Sequence, residues 1–181
     1  MELQIIDVEM NDVFDARVGP QPVRVGRRAG TVKPRIRSGH RILAETDLFF
    51  RAADRPDQMP YWVSDEALKL GTPWIDCSYA GPMINCCIYV PGLTGCYRCL
   101  RGAARERLAS EGRLGSFSES PPAFNAAFGP VVHMAASLAA YEGIRFLTGL
   151  SPQTIGSSFH QNMFDYAHSY VVEVPGDCPH G

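Results

Sequence analysis

Residues 47–75, DLFFRAADRPDQMPYWVSDEALKLGTPWI, carry the clearest alternation of strand and helix signals in the chain. The apolar run at 48–53 predicts a short strand buried on both faces, as in a parallel sheet, that ends at Asp54. Residues 61–70 predict a helix, and Gly71 is suited to end it. Because residue 72 begins another apolar segment, the order strand, helix, strand indicates an α/β fold.

The segments that follow continue this pattern toward the C-terminus. Residues 130–149, PVVHMAASLAAYEGIRFLTG, predict a helix that Pro130 begins and Gly149 ends. This helix is apolar nearly all round, so we expect it to be buried, with His133 as a hydrogen-bonded core residue. The other predicted elements are two strands at 72–81 and 83–92, a short exposed helix at 100–112 and a hairpin at 158–174.

The N-terminal segment is patterned differently from the rest. Residues 1–45 are poorly patterned: a short strand is possible near the start, and the basic, Gly- and Pro-rich stretch after it is typical of a loop. We therefore predict that residues 46–181 form the folded domain, with 1–45 as an irregular N-terminal segment.

Composition narrows the class of protein. The chain has 181 residues, is 45% hydrophobic and 20% charged, and carries a net charge of −2, which does not favour binding to nucleic acid or to a membrane surface. It shows neither a signal peptide nor an apolar run near the roughly 20 residues that span a bilayer. We therefore expect a cytoplasmic protein whose six cysteines are thiols or metal ligands rather than disulfides.

A cysteine pair in GCYRCL, residues 95–100, is the strongest chemical signal. Cys96 and Cys99 have the spacing of a zinc knuckle, and Cys178 with His180 near the C-terminus would complete four ligands. Two alternatives remain, since the spacing also suits a redox pair or inert thiols. The other cysteines, Cys77, Cys86 and Cys87, lie on predicted strands and are interpreted as core thiols.

Several motifs in order resemble the ThiF/MoeB family of adenylating enzymes, which are related to ubiquitin-activating enzyme. These motifs are CYRCL, a Gly-Pro-Val-Val start to a helix ending in FLTG, a terminal DCP, and the segment 47–75. The resemblance implies a ThiF-like mixed sheet flanked by helices. It also implies ATP- and Mg²⁺-dependent adenylation of the C-terminus of a ubiquitin-like carrier protein or peptide, and a homo- or heterodimer.

Asp54 is the site residue that the resemblance identifies. It matches the family aspartate that holds Mg²⁺ beside the ATP phosphates, and a carboxylate is a ligand that Mg²⁺ prefers. Without the resemblance, the favoured interpretation of Asp54 is a cap of the helix that follows, whereas the resemblance favours the metal role.

Other family features are missing from this sequence. There is no GxGxxG phosphate loop, so we expect the N-terminal nucleotide-binding Rossmann half to be lacking, and ATP and Mg²⁺ to bind only with a complementary half. The loop at 116–129, where some members carry a nucleophilic cysteine, has none. The family ending Cys-Pro-x-Cys is also altered, because Gly181 stands at the fourth-ligand position and His180 would substitute for it.

Two functions follow from these observations. In the first, the chain belongs to an enzyme of ATP-dependent adenylation and is incomplete by itself. In the second, it is a non-catalytic ThiF-like module that binds a partner protein or peptide, and the missing glycine loop and loop cysteine favour this alternative.

Overall fold

A computed structural model of the chain describes residues 2–7, 12–17, 43–53, 56–113 and 128–180. The strands are β1 (Glu2–Asp7), β2 (Asp12–Arg17), β3 (Phe49–Arg51), β4 (Trp74–Ala80), β5 (Met83–Tyr89), β6 (Ser157–Asn162) and β7 (Ser169–Glu173). The helices are α1 (Met59–Leu70), α2 (Tyr97–Ser110) and α3 (Gly129–Leu147).

The strands form a single mixed sheet in the order β2-β1-β3-β4-β5-β6-β7. Strands β1, β3 and β4 run parallel, and the pairs from β4 to β7 are antiparallel, as is β1 with β2. Helices α1 and α2 cover one face through a core that includes Phe49, Trp74 and Tyr89, and α3 covers the other face. The predicted mixed sheet flanked by helices is confirmed.

The N-terminal segment contributes more regular structure than its sequence predicts. Strands β1 and β2 both fall within residues 1–45, and the backbone of β1 pairs in parallel with β3, from Gln4 opposite Phe49 to Ile6 opposite Arg51. The backbone hydrogen bonds that this edge of β3 offers explain why a weakly patterned segment is ordered there.

The segment from β3 to β5 follows the local sequence signals closely. Pro60 lies in the first turn of α1, and Gly71 ends the helix with φ of 70°, donating its N–H to the carbonyl of Ala67. Strand β3 ends at Arg51, earlier than the predicted end at Asp54. Strands β4 and β5 form a hairpin, and Gly81 in its two-residue turn has φ of 55°.

Within the described residues, helix α3 is packed on one side only, so the prediction that it is buried is wrong. Its buried face includes Ala139 and Gly143, and a Cβ on Gly143 would lie 2.5 Å from the ring of Phe50. The opposite face is apolar but exposed: Met134, Tyr141 and Ile144 are 47%, 57% and 61% exposed. Apolar composition therefore does not report burial here, since a sheet covers only one side of a helix.

The C-terminal hairpin is confirmed. Strand β6 pairs antiparallel with β7 from Ser157 opposite Glu173 to Gln161 opposite Ser169, and β6 also pairs with β5. Within the part of the chain that the structure describes, no helix is both long and apolar enough to cross a membrane.

Candidate metal centre

The first turn of α2 positions two of the four predicted metal ligands. Cys96 is the N-cap residue in an extended conformation, and Cys99 follows inside the first turn. The preceding turn is held by Thr94, whose backbone N–H bonds the carbonyl of Val90 at 2.9 Å and whose hydroxyl accepts from the N–H of Val90 at 3.0 Å. Residues three apart on a helix share a face, so the two thiols point the same way.

The C-terminal segment brings the other two ligands to this turn. It passes so close to Gly95 that a Cβ there would overlap the carbonyl oxygen of Pro175. Just before it, the N–H of Val174 donates to the carbonyl of Gly156 at 2.8 Å, and the side chain of Val174 is buried in the core beside Leu100 of α2. Only a glycine at position 95 permits this approach.

Four donor atoms converge at this point, as predicted from the sequence. The Sγ of Cys99 lies 3.8 Å from that of Cys96 and 3.9 Å from that of Cys178. The Nδ1 of His180 lies 3.3 Å, 3.6 Å and 4.0 Å from the Sγ atoms of Cys96, Cys99 and Cys178. All four ligand atoms lie within 4.8 Å of one another.

These separations fit four ligands arranged tetrahedrally around one metal ion. Bonds of about 2.3 Å to sulfur and about 2.0 Å to nitrogen place two sulfurs about 3.8 Å apart and a sulfur and a nitrogen about 3.5 Å apart. The cluster of Cys96, Cys99, Cys178 and His180 could therefore hold a metal.

The thiols of the cluster differ in acidity. Burial raises the pKa of the Cys99 thiol to about 11. Burial also opposes ionisation of the Cys178 thiol, but hydrogen bonds from the His180 backbone and from the Cys96 and Cys99 side chains outweigh it and lower the pKa of Cys178. Binding of a metal has to displace the proton of Cys99, so it releases protons to solution.

The remaining site predictions have mixed outcomes. Asp54 lies outside the described residues, so its proposed role stays a prediction. Cys86 and Cys87 are buried in the core and Cys77 is half-buried, and all are free thiols. His133 is exposed, with Nδ1 2.7 Å from the carbonyl of Gly129, so the prediction of a core histidine is wrong because α3 turns that side to solvent.

The sheet contains a buried ion pair, which was not predicted from the sequence. Nε of Arg51 donates to Oδ1 of Asp76 at 2.5 Å, its Nη1 donates to the carbonyl of Ala53 at 2.6 Å, and both charged side chains are buried. The two residues lie opposite each other on β3 and β4. A signal existed, since each interrupts an apolar strand with a charge of opposite sign, but pairing them requires the strand register.

Comparison with known proteins places the chain in a family. The sequence model of the ThiF family matches residues 16–174. The structure is similar to that of E. coli MccB with AMPCPP and MccA, with 25% identity over 74% of this chain and 38% of that chain and a TM-score of 0.57. MccB with ATP gives 26% identity over 74% and 37% of the two chains and a TM-score of 0.56.

A third structure agrees with these two. The microcin C7 biosynthetic enzyme MccB in complex with N-formylated MccA is 26% identical over 74% of this chain and 40% of that chain, with a TM-score of 0.55. This chain thus spans about two-fifths of the length of the MccB chains that it resembles. No curated protein matches the chain in sequence. Because the family model covers most of its residues, the chain belongs to the ThiF family.

Proposed function

We propose that this protein takes part in ATP-dependent adenylation of the carboxyl terminus of a peptide or of a ubiquitin-like carrier protein. The observation that carries the proposal is the ThiF family match over residues 16–174. The likeness to MccB, which has been solved with ATP and with MccA, supports a peptide as the substrate class. In such a reaction a carboxylate oxygen attacks the α-phosphorus of ATP and displaces pyrophosphate.

The topology supports a nucleotide site at one edge of the sheet. In an open α/β sheet, ligands bind beyond the carboxyl ends of the parallel strands, which here are β1, β3 and β4. Asp54 follows the last residue of β3 by three positions in the sequence and would supply a carboxylate to Mg²⁺ at this edge. Since the sequence has no GxGxxG loop, the phosphates would be held by a complementary half of the assembly.

We further propose that the metal centre binds zinc in a structural role. Three thiolates and one imidazole form a closed tetrahedral set that leaves no position for a substrate. The ion would fasten the C-terminus to the start of α2. Convergence of four donors favours this role over that of a redox pair, which needs only Cys96 and Cys99.

Two further features of the assembly are proposals of the same kind. The exposed apolar face of α3 supports a homo- or heterodimer, since large apolar patches mark protein contacts. A cytoplasmic location is supported by the six cysteines, all among the described residues, none of which forms a disulfide.

ATP–pyrophosphate exchange tests the proposed reaction. We expect no exchange with the purified chain alone, and exchange once a polypeptide that carries a GxGxxG half, encoded beside it, is added with a peptide substrate. The same peptide with an amidated C-terminus should be inactive, because it lacks the attacking carboxylate. Asp54→Asn should abolish exchange without unfolding the protein, because Asn also caps helices.

The alternative is a non-catalytic module that binds a partner protein or peptide. It is favoured by the absence of a glycine-rich loop and of a cysteine at 116–129. Tight peptide binding by the chain, with no exchange either alone or with the added GxGxxG polypeptide, would support the non-catalytic module and refute the enzymatic proposal.

A further inference from the structure

Two core cysteines face each other across the β4–β5 hairpin. The register of the hairpin places Cys77 directly opposite Cys86, three pairs away from the closing pair of Ala80 and Met83. The closing pair of a two-residue turn is hydrogen-bonded, and bonded and non-bonded pairs alternate, so the cysteines form a non-hydrogen-bonded pair. The Cα atoms of such pairs lie about 4.5 Å apart, which is within the roughly 4.4–6.8 Å range of disulfides.

The two side chains lie on the same face of the sheet, beneath α3. Cys86 belongs to the core cluster with Ala139, and Cys77 packs against the same cluster. The Sγ of Cys77 donates to the carbonyl of Ala135 in α3 at 2.9 Å. Hydrogen bonding to Cys77 and burial both raise the pKa of the Cys86 thiol.

The neighbouring cysteine provides an internal comparison. Cys87 follows Cys86 directly but packs in the cluster on the opposite face of the sheet, with Trp74 and Tyr89. Cys77 is half-buried whereas Cys86 is fully buried, so Cys77 is the thiol that a small oxidant in solution reaches first.

We propose that Cys77 and Cys86 are an oxidation site that forms a reversible cross-strand disulfide with a peroxide as oxidant. The Cys77 thiol reacts with hydrogen peroxide to give a sulfenic acid and one water. The Cys86 sulfur then attacks the Cys77 sulfur, the S–O bond breaks, and the Cys86 proton leaves with the hydroxide as a second water. Overall, two thiols lose two hydrogens and two electrons, and one peroxide is reduced to two waters.

The disulfide would alter the contact between sheet and helix. Oxidation removes the S–H group that Cys77 donates to Ala135, so the packing of α3 on β4 is coupled to the redox state. Because Cys86 is kept protonated, we expect the reaction to be slow, on a scale of minutes to hours, and faster at higher pH. A dithiol reductant should reverse it.

Peptide mapping of the zinc-loaded full chain tests the site. The protein is treated with dilute hydrogen peroxide, quenched in acid, unfolded with N-ethylmaleimide and digested with chymotrypsin. Cleavage after Trp74, Tyr79 and Tyr89 separates fragment 75–79, which holds Cys77, from fragment 80–89, which holds Cys86 and Cys87. We expect the two fragments to appear as one linked species, with a mass two hydrogens below the sum of the two fragment masses. Treatment with dithiothreitol should separate them.

Variants identify the partner within the second fragment. Cys87→Ser should retain the link, whereas Cys77→Ser and Cys86→Ser should abolish it, with circular dichroism as the check on folding. The proposal is overturned if the link disappears in Cys87→Ser. It is also overturned if folded wild-type protein yields only N-ethylmaleimide-labelled Cys77 and Cys86 while the metal-centre cysteines are oxidised.

Discussion

At the scale of the residue, Glu142 shows how a single buried carboxylate organises a loop. It is the acidic residue of α3 and is buried on the face toward the sheet. Its Oε2 accepts from the N–H of Gln153 at 2.6 Å and from the N–H and hydroxyl of Thr154, both at 2.9 Å. Without this carboxylate the N–H and hydroxyl of the buried Thr154 would lose their acceptor, which is costly.

The loss of stability on replacing this carboxylate should therefore depend on whether the new side chain still offers an acceptor. We expect Glu142→Ala to lower the free energy of unfolding by about 3–5 kcal/mol and Glu142→Gln, whose amide oxygen can still accept, by about 1–2 kcal/mol. Urea unfolding measures both. Equal losses for the two variants would contradict the hydrogen-bonding role.

Two glycines, Gly95 before α2 and Gly102 within it, should respond in opposite ways to replacement by alanine. Gly95→Ala should lose several kcal/mol of stability and much of its bound metal, because the new methyl group overlaps the carbonyl of Pro175. Gly102 lies inside α2, and a Cβ added there would meet no neighbouring group within 4 Å, so Gly102→Ala should stabilise the helix by about 0.5–1 kcal/mol. Urea unfolding and metal analysis of both variants check this, and metal loss in Gly102→Ala would refute the steric explanation.

At the scale of the element, the β6–β7 hairpin joins α2 through a stack of rings. His160 on β6 stacks on Tyr170 of β7 at 4.5 Å between ring centroids, and the guanidinium of Arg107 from α2 lies 4.0 Å from the same tyrosine ring. Ser158 Oγ lies 3.0 Å from Nε2 of His160. Burial, together with the charge of Arg107, lowers the pKa of His160 from 6.5 to about 4.

The hairpin should therefore lose stability in acid. The unfolded state binds a proton at His160 more readily than the folded state. The contribution of neutral His160 to the free energy of unfolding is therefore present above pH 6.5 and is lost as the pH falls toward 4. We expect His160→Gln to show a smaller drop in the free energy of unfolding between pH 7 and pH 4.5 than wild type. His133→Gln, which changes an exposed histidine, is the matched control and should keep the wild-type drop; identical profiles for all three proteins would contradict the role of His160.

At the scale of the whole molecule, the four candidate metal ligands bring together two parts of the chain that are far apart in sequence. They connect the first turn of α2 to a segment that follows β7, and Arg107 and Leu100 continue the same contact along α2. If a metal is bound there, we expect its loss to loosen this interface rather than a single loop.

We expect about one zinc per chain in protein purified without added metal. Cys99→Ser should lower the free energy of unfolding by several kcal/mol, because the binding free energy of a structural ion is also folding free energy. Elemental analysis and urea unfolding measure the two quantities. A metal-free, fully folded protein with reactive Cys96 and Cys99 would refute the zinc site and favour the redox pair.

The sequence by itself determined those features that depend on neighbouring residues. The end of α1 at Gly71, the C-terminal hairpin and the pairing of Cys96 with Cys99 all follow from local rules of turns and helix geometry. The sequence also predicts Cys178 and His180 as their partners, because these are a second local pair of donors near the C-terminus, and the structure brings both pairs together.

Only the tertiary structure decided the features that depend on contacts between residues far apart in sequence. Helix α3 is apolar on both sides, yet among the residues that the structure describes only the side toward β4 and β5 is covered. The ion pair of Arg51 with Asp76 and the placement of Cys77 opposite Cys86 both require a strand register, which a shift of one residue would destroy. The physical reason is that turns and helix ends are set by the backbone preferences of a few adjacent residues, whereas burial and register are set by neighbours distant in sequence.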